Sequence, residues 1–109
     1  MVIANRTLRI RRQSVPDVPV AIRIFAPRPV GRAWSCAYEI DWPGSPRKRD
    51  ISGFDSMQAL FLALQAIGTD LYTSEHHRAG ELAWEQEGSG YGFPVPKTIR
   101  DLLIGDDAP

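Results

Sequence analysis

Cysteine and histidine are scarce. The 109-residue chain holds one cysteine, Cys36, so no intramolecular disulfide can staple it, and two histidines hardly furnish a zinc site. His76 and His77 are adjacent, which on a helix points their rings about 100° apart and denies them the same-face geometry of ligands four residues apart. Neither a metal nor another cofactor is expected, and the two rings read as surface histidines at a helix end. No apolar run approaches the roughly 20 residues that span a bilayer. The opening MVIANRTLRIRR lacks the basic, apolar, small-residue order of a secretion signal, which makes a cytoplasmic location the default. Net charge is also missing, but only in the sum. Residues 1 to 50 carry ten Lys and Arg against four Asp and Glu, a balance of +6, and residues 51 to 109 carry three against nine, a balance of −6. A chain of this length forms one domain, here expected over 1–104, so the asymmetry packs a basic element on an acidic one.

Catalytic constellations are absent as well. Ser56 follows Asp55 without a Gly-x-Ser-x-Gly elbow or a histidine placed to activate it, and capping explains the pair. Glu39 and Asp41 share a strand face about 7 Å apart, but arginines on the same open face would hold both ionised instead of raising one as an acid. Gly88, Gly90 and Gly92 precede Phe-Pro and not a helix with a lysine, so the loop lacks the setting of a phosphate cradle.

What the chain does have is one long stretch of helical periodicity, Phe54 to His76. At 100° per residue Met57, Leu60, Phe61, Leu64, Ile67 and Leu71 fall in one arc. Asp55 is the N-cap, Gln58 completes a capping box, and Phe54 is placed to staple back onto the first turn. Before the helix come alternating runs. Val2 to Arg12 sets Leu8 and Ile10 against Thr7, Arg9 and Arg11; Val18 to Ala26 aligns Val18, Val20, Ile22 and Ile24; Trp34, Cys36, Tyr38, Ile40 and Trp42 recur at every second position. PRPVGR at 27–32 reads as a turn, Arg47 to Ser52 as a charged edge strand, and Leu82 to Glu85 as a short fifth strand.

Short connections favour neighbouring pairing. The fold class predicted is α+β, an antiparallel four- to five-stranded meander sheet with one long amphipathic helix packed on one face. Gly105 to Pro109 reads as a disordered acidic tail.

From Gly53 onward a resemblance can be given. Gly53, Asp55, Ser56, Gln58, Ala59 and Leu60 at the helix start, Trp84 after it, and Gly92, Phe93 and Pro94 in the loop resemble a family of small bacterial proteins of unknown function. The likeness covers roughly the second half, and the first half only through its strand pattern. It brings no activity, but it implies that the Asp-Ser-x-Gln start and the Gly-Phe-Pro loop are linked parts of one layout.

Three functional readings follow. The preferred one is a non-enzymatic domain that binds a protein or itself, as an immunity-type or regulatory partner. Leu62 breaks the helix's polar side and Tyr72 lies near it, and Arg9, Arg11 and Arg23 supply a charged surface for the same purpose. The second is nucleic-acid binding through a basic sheet face carrying Arg9, Arg11, Arg12, Arg23, Arg28, Arg32, Arg47, Lys48 and Arg49, although no stacking ring interleaves them. The third is a small enzyme with a pocket where Tyr91 and Phe93 meet Asp55 and Ser56.

Overall fold

The computed structural model describes residues 1–108. Its strands form where the sequence alternates: β1 (Val2–Ile10), β2 (Val18–Phe25), β3 (Arg28–Val30), β4 (Ala33–Ile40), β5 (Arg47–Gly53) and a two-residue β6 (Leu82–Ala83). All neighbours pair antiparallel, β6 on β1, β1 on β2, β2 on β4 and β4 on β5. This is the expected meander, with one addition. PRPVGR is not wholly a turn: Arg28–Val30 pairs with Ala33–Ser35 across a turn at Gly31 and Arg32. Trp34 faces Pro29 on one side and Gly53 on the other, so β3 continues the side of β4 that β2 occupies, after a break at Pro27.

The inner face of the sheet carries Leu8, Ile10, Val20, Ile22, Ile24, Cys36, Tyr38 and Ile40, all buried. Helix α1 (Ser56–Tyr72) lies over β4 and β5. Its N-cap is Asp55, whose side chain accepts from the Gln58 N–H at 2.7 Å, and Gln58 Oε1 reaches back to the Phe54 N–H at 2.6 Å. The capping box thus closes one residue earlier than its usual partner. Phe54 itself does not staple, for its ring is 89% exposed.

The helix is rotated from the expected arc. Its buried residues are Ala59, Ala63, Ile67, Gly68, Leu71 and Tyr72, while Met57 is 74% and Phe61 52% exposed. The turn is roughly 100° in the first half. Close approach is the reason: a Cβ at Gly53 would overlap the backbone of Ala59, so the helix lies near β5 where only small side chains fit between them. The bulky residues flank this alanine seam instead of filling it.

A one-turn helix α2 (Glu75–Arg78), capped by Ser74, follows directly. The remaining chain packs without long elements. Tyr91, Phe93 and Val95 are buried in the same core, and Ile99, Leu103 and Ile104 pack against it. Of the tail expected to be disordered over 105–109, Gly105–Asp107 forms a 3-10 turn and Asp107 bonds back to residues 72, 91 and 92, while Pro109 lies outside the described residues. No helix among the described residues is long and apolar enough to cross a membrane.

Candidate functional site

The outer edge of β1 leaves backbone open. Strand β6 pairs only with Arg9 and Ile10, and among the described residues nothing pairs the edge from Val2 to Leu8. The Arg11 N–H bonds the Glu81 carbonyl and Arg9 faces Ala83, so odd positions of β1 turn their backbone groups outward. By the two-residue period, Asn5 and Thr7 present unpaired N–H and C=O groups to solvent. Both are exposed, as are Val2 and Ile3, at 41% and 47%.

Beside this edge, on the helix side of the sheet, lies a cleft of about 180 Å³. Ile22 and Ile24 form its floor, Leu64 and Ile67 its helix wall, and Phe93 and Pro94 the facing wall, with Asn5 and Arg6 at the rim. Phe61 and Met57 stand one and two turns before Leu64 on the same side of α1, so the helix wall runs on into exposed apolar surface.

Two glycines set the second wall. At Gly68 an added Cβ would fall on the Pro94 carbonyl, so only glycine lets the loop lie against the helix there. At Gly92, with φ near +77°, a Cβ would come within 2.5 Å of Arg6 Nη1 and 2.8 Å of the Trp84 ring. The space is used by Arg6. Its guanidinium sits 3.8 Å from the Trp84 ring centroid and 5.1 Å from that of Phe93, and donates to the carbonyls of Tyr91 at 3.0 Å and Gly92 at 3.2 Å. One cation on β1 therefore fastens the whole loop to the sheet.

The other ionisable groups are engaged in internal networks. Tyr38, fully buried, donates to Asp70, which also receives Arg47 Nε at 2.9 Å. Burial pushes the Tyr38 hydroxyl up, and the Asp70 carboxylate adds to the shift. At the far end of the helix Tyr72 donates to Asp107, and the Tyr91 hydroxyl meets His77 Nδ1. Burial pushes Tyr91 up to about 12, with the Asp107 charge adding to it, and raises Tyr72 in the same way. Neither histidine is a plain surface residue. His76 stacks on Trp42 with centroids 5.3 Å apart, and His77 lies edge-on to Tyr72 and Tyr91.

His77 supplies a pH test. Burial lowers its pKa from the ordinary 6.5, so the unfolded chain takes up the proton first. The stability this neutral ring contributes is complete above about pH 6.5 and is lost as pH falls through the folded value. The urea midpoint should drop between pH 7.5 and 5.5, and His77→Gln should flatten that drop. An equal drop in both proteins would count against the assignment.

The residues singled out from sequence distribute as follows. Arg9 and Arg11 share Asp17 at 3.6 and 3.5 Å, and Arg23 forks onto Glu39 at 3.0 Å and Asp41 at 2.7 Å. Each of these three arginines is thus paired with a carboxylate. Tyr72 is only 3% exposed and faces inward, while Leu62 is half-buried. Asp55 and Ser56 are not brought to Tyr91 and Phe93. The loop meets α1 at Gly68, about 18 Å along the axis from the helix start, so the candidate pocket at the N-terminus does not form. Phe93 instead lines the cleft. The edge itself escaped the sequence reading, because which strand lies outermost depends on how far β6 extends.

The sequence profile of a family described as Domain of unknown function (DUF6968) matches residues 4–95. No curated protein matches the chain, and no solved structure does.

Proposed function

We propose that this chain, which belongs to the DUF6968 family, acts by binding protein and not by catalysis, and that it takes its partner as a strand added to β1. The observation that carries this reading is the unpaired edge at Asn5 and Thr7 lying beside an apolar cleft. Strand addition uses both parts. Main-chain hydrogen bonds to an open edge give affinity, and a pocket for alternate side chains gives selectivity. The cleft suits one aliphatic or aromatic side chain of such a strand, and Met57 and Phe61 extend apolar contact beyond it.

The charge network supports binding over chemistry. Tyr38, Asp70, Tyr72, Tyr91 and His77 spend their polar groups on one another and on Arg47 and Asp107. None of them lines the cleft.

Selection from a displayed library of extended octapeptides tests the reading, followed by amide and methyl spectra of the labelled protein. Enriched peptides should shift the amides of Asn5 and Thr7 and the methyls of Ile24 and Leu64. Failure to enrich any peptide, or shifts confined to Met57 and Phe61 with Asn5 unmoved, would overturn it.

A further inference from the structure

The cleft beside β1 has a cation at its rim and no anion. Of the residues lining it, Arg6 alone carries charge. Arg9, the other arginine of β1, lies 3.6 Å from Asp17, and Arg11, Arg12 and Arg23 each have a carboxylate at 3.5 Å or less. Among the described residues Arg6 is ion-paired with none. Its two hydrogen bonds, to the Tyr91 and Gly92 carbonyls, both leave from Nη1, so Nε and Nη2 donate to no protein group there. A half-buried guanidinium held by rings and carbonyl dipoles keeps its full positive charge beside apolar walls. A carboxylate is the group that offsets it, and the fork of free N–H groups suits one.

The open edge is short. The ladder of β1 with β2 shifts register between Val2 and Ala4, and β6 takes over at Arg9, so regular open backbone runs from Ala4 to Leu8. Asn5 and Thr7 supply its outward N–H and C=O groups. Each such bond contributes only about 1 kcal/mol net, so side chains decide which strand is held.

Resting on the reading that this edge accepts a strand, we infer that the strand is a segment of another protein with a particular side-chain order. It carries Asp or Glu, then any residue, then one phenyl or branched aliphatic side chain. Even positions of β1 face the helix side: Arg6 pairs with Ile22 and Ala4 with Ile24, both floor residues of the cleft. A strand added antiparallel, as all pairs in this sheet run, turns the residue opposite Asn5 to the outer face and its two neighbours to the helix side. The neighbour opposite Arg6 is the acid, a cross-strand ion pair to the free N–H groups. The neighbour opposite Ala4 comes two residues later in the partner and enters the cleft, where Ala4 offers only a methyl group in its way. A cavity of roughly 150 Å³ holds a benzene ring, so the cleft of about 180 Å³ takes one such side chain and not two.

Short threonine-rich peptides capped at both ends, so that no terminal carboxylate takes part, test this order on the isotopically labelled chain. The central triplet is Glu-Thr-Phe, and its three controls are Gln-Thr-Phe, Glu-Thr-Ser and the reversed Phe-Thr-Glu. Glu-Thr-Phe should move the Asn5 and Thr7 amides, the Ile24 and Leu64 methyls and the Arg6 Nε–H signal together. Gln-Thr-Phe should bind about fivefold more weakly and leave the Arg6 signal in place. Glu-Thr-Ser, which leaves the cleft empty, should lose about tenfold or more, and the reversed order about tenfold.

Equal affinities for Glu and Gln, an Arg6 signal that Glu does not move, or equal affinity for the reversed order overturns the inference. So does phenylpropionate, an apolar acid with no strand, if it moves Ile24 and Leu64 as tightly as the peptide while Asn5 stays still. That result makes the occupant a small acid. The strand-binding reading is judged separately: if all four peptides are silent, or bind alike at Asn5 and Thr7, the acid and its order fall, and the displayed library still decides whether the edge receives a strand.

Discussion

Gly68→Ala is expected to destabilise the protein by about 2 kcal/mol, although alanine is the better helix former. In an exposed helix interior the exchange would stabilise by about 1 kcal/mol. Here the added methyl falls on the Pro94 carbonyl, and the next nearest groups are the same carbonyl carbon and Val95 Cγ1, each at 3.1 Å. The first obstacle is backbone, which cannot rotate away as a side chain tip can. Either the loop lifts or the helix shifts, and overpacking of this kind costs about 1 to 3 kcal/mol, rising when backbone must move. Because the loop also carries Phe93 and Val95 into the core, lifting it exposes apolar surface in addition. Equilibrium urea unfolding measures the sum, and hydrogen exchange locates it: faster exchange should be confined to residues 91–95 and their contacts. A stability equal to or above the parent would mean that the loop does not lie where Gly68 receives it.

How much of this was readable beforehand depends on which scale of interaction decides each feature. Local alternation fixes which residues of β1, β2 and β4 face inward, and Leu8, Ile22, Tyr38 and Ile40 are buried as their parity requires. Asp55 caps the helix because capping is decided within four residues. The rotation of α1 is different. An arc weighted by side-chain bulk favours Met57 and Phe61, yet the sheet accepts the smallest residues, since Gly53 brings the helix close at Ala59. That distance is a property of two elements together, and no window on the helix contains it. The same holds for the edge. Alternation marks β1 as a strand, but its exposure follows from where the chain turns away after Ala83, at Glu85 with φ of 59°. The glycine loop was legible as a shape requirement, and its partners were not: Gly68, Arg6 and Asp107 lie 24, 86 and 15 residues from Gly92.

Removing the Asp107 carboxylate should have the largest effect among polar substitutions. Its Oδ2 accepts from the Tyr91 N–H at 2.7 Å and from the Tyr72 hydroxyl, and its Oδ1 accepts from the Gly92 N–H at 2.8 Å. All three partners donate. Asp107→Asn preserves shape but turns one oxygen into an amino group, so at least one donor meets a donor. Tyr72 cannot relieve the conflict freely, because its oxygen already accepts from the Ile104 N–H at 3.4 Å. Hydrogen bonds to a charged group are worth about 1.5 to 3 kcal/mol each, and a buried donor left without a partner costs about as much. Asp107→Ala should therefore cost about 3 kcal/mol, and Asp107→Asn nearly the same instead of the intermediate value expected of a shape-conserving change. Tyr72→Phe deletes one of the three donors and should partly rescue Asp107→Asn in a double-mutant cycle. Additive losses in that cycle would show that the two groups do not share the bond. Asp107 lies beyond the 4–95 match to the family, whereas Tyr72, Tyr91 and Gly92 lie within it. A residue outside the matched region thus holds the loop that walls the cleft. Loss of the carboxylate should raise hydrogen exchange at Gly92 and Phe93 before it unfolds the sheet, coupling residue 107 to the wall of the cleft.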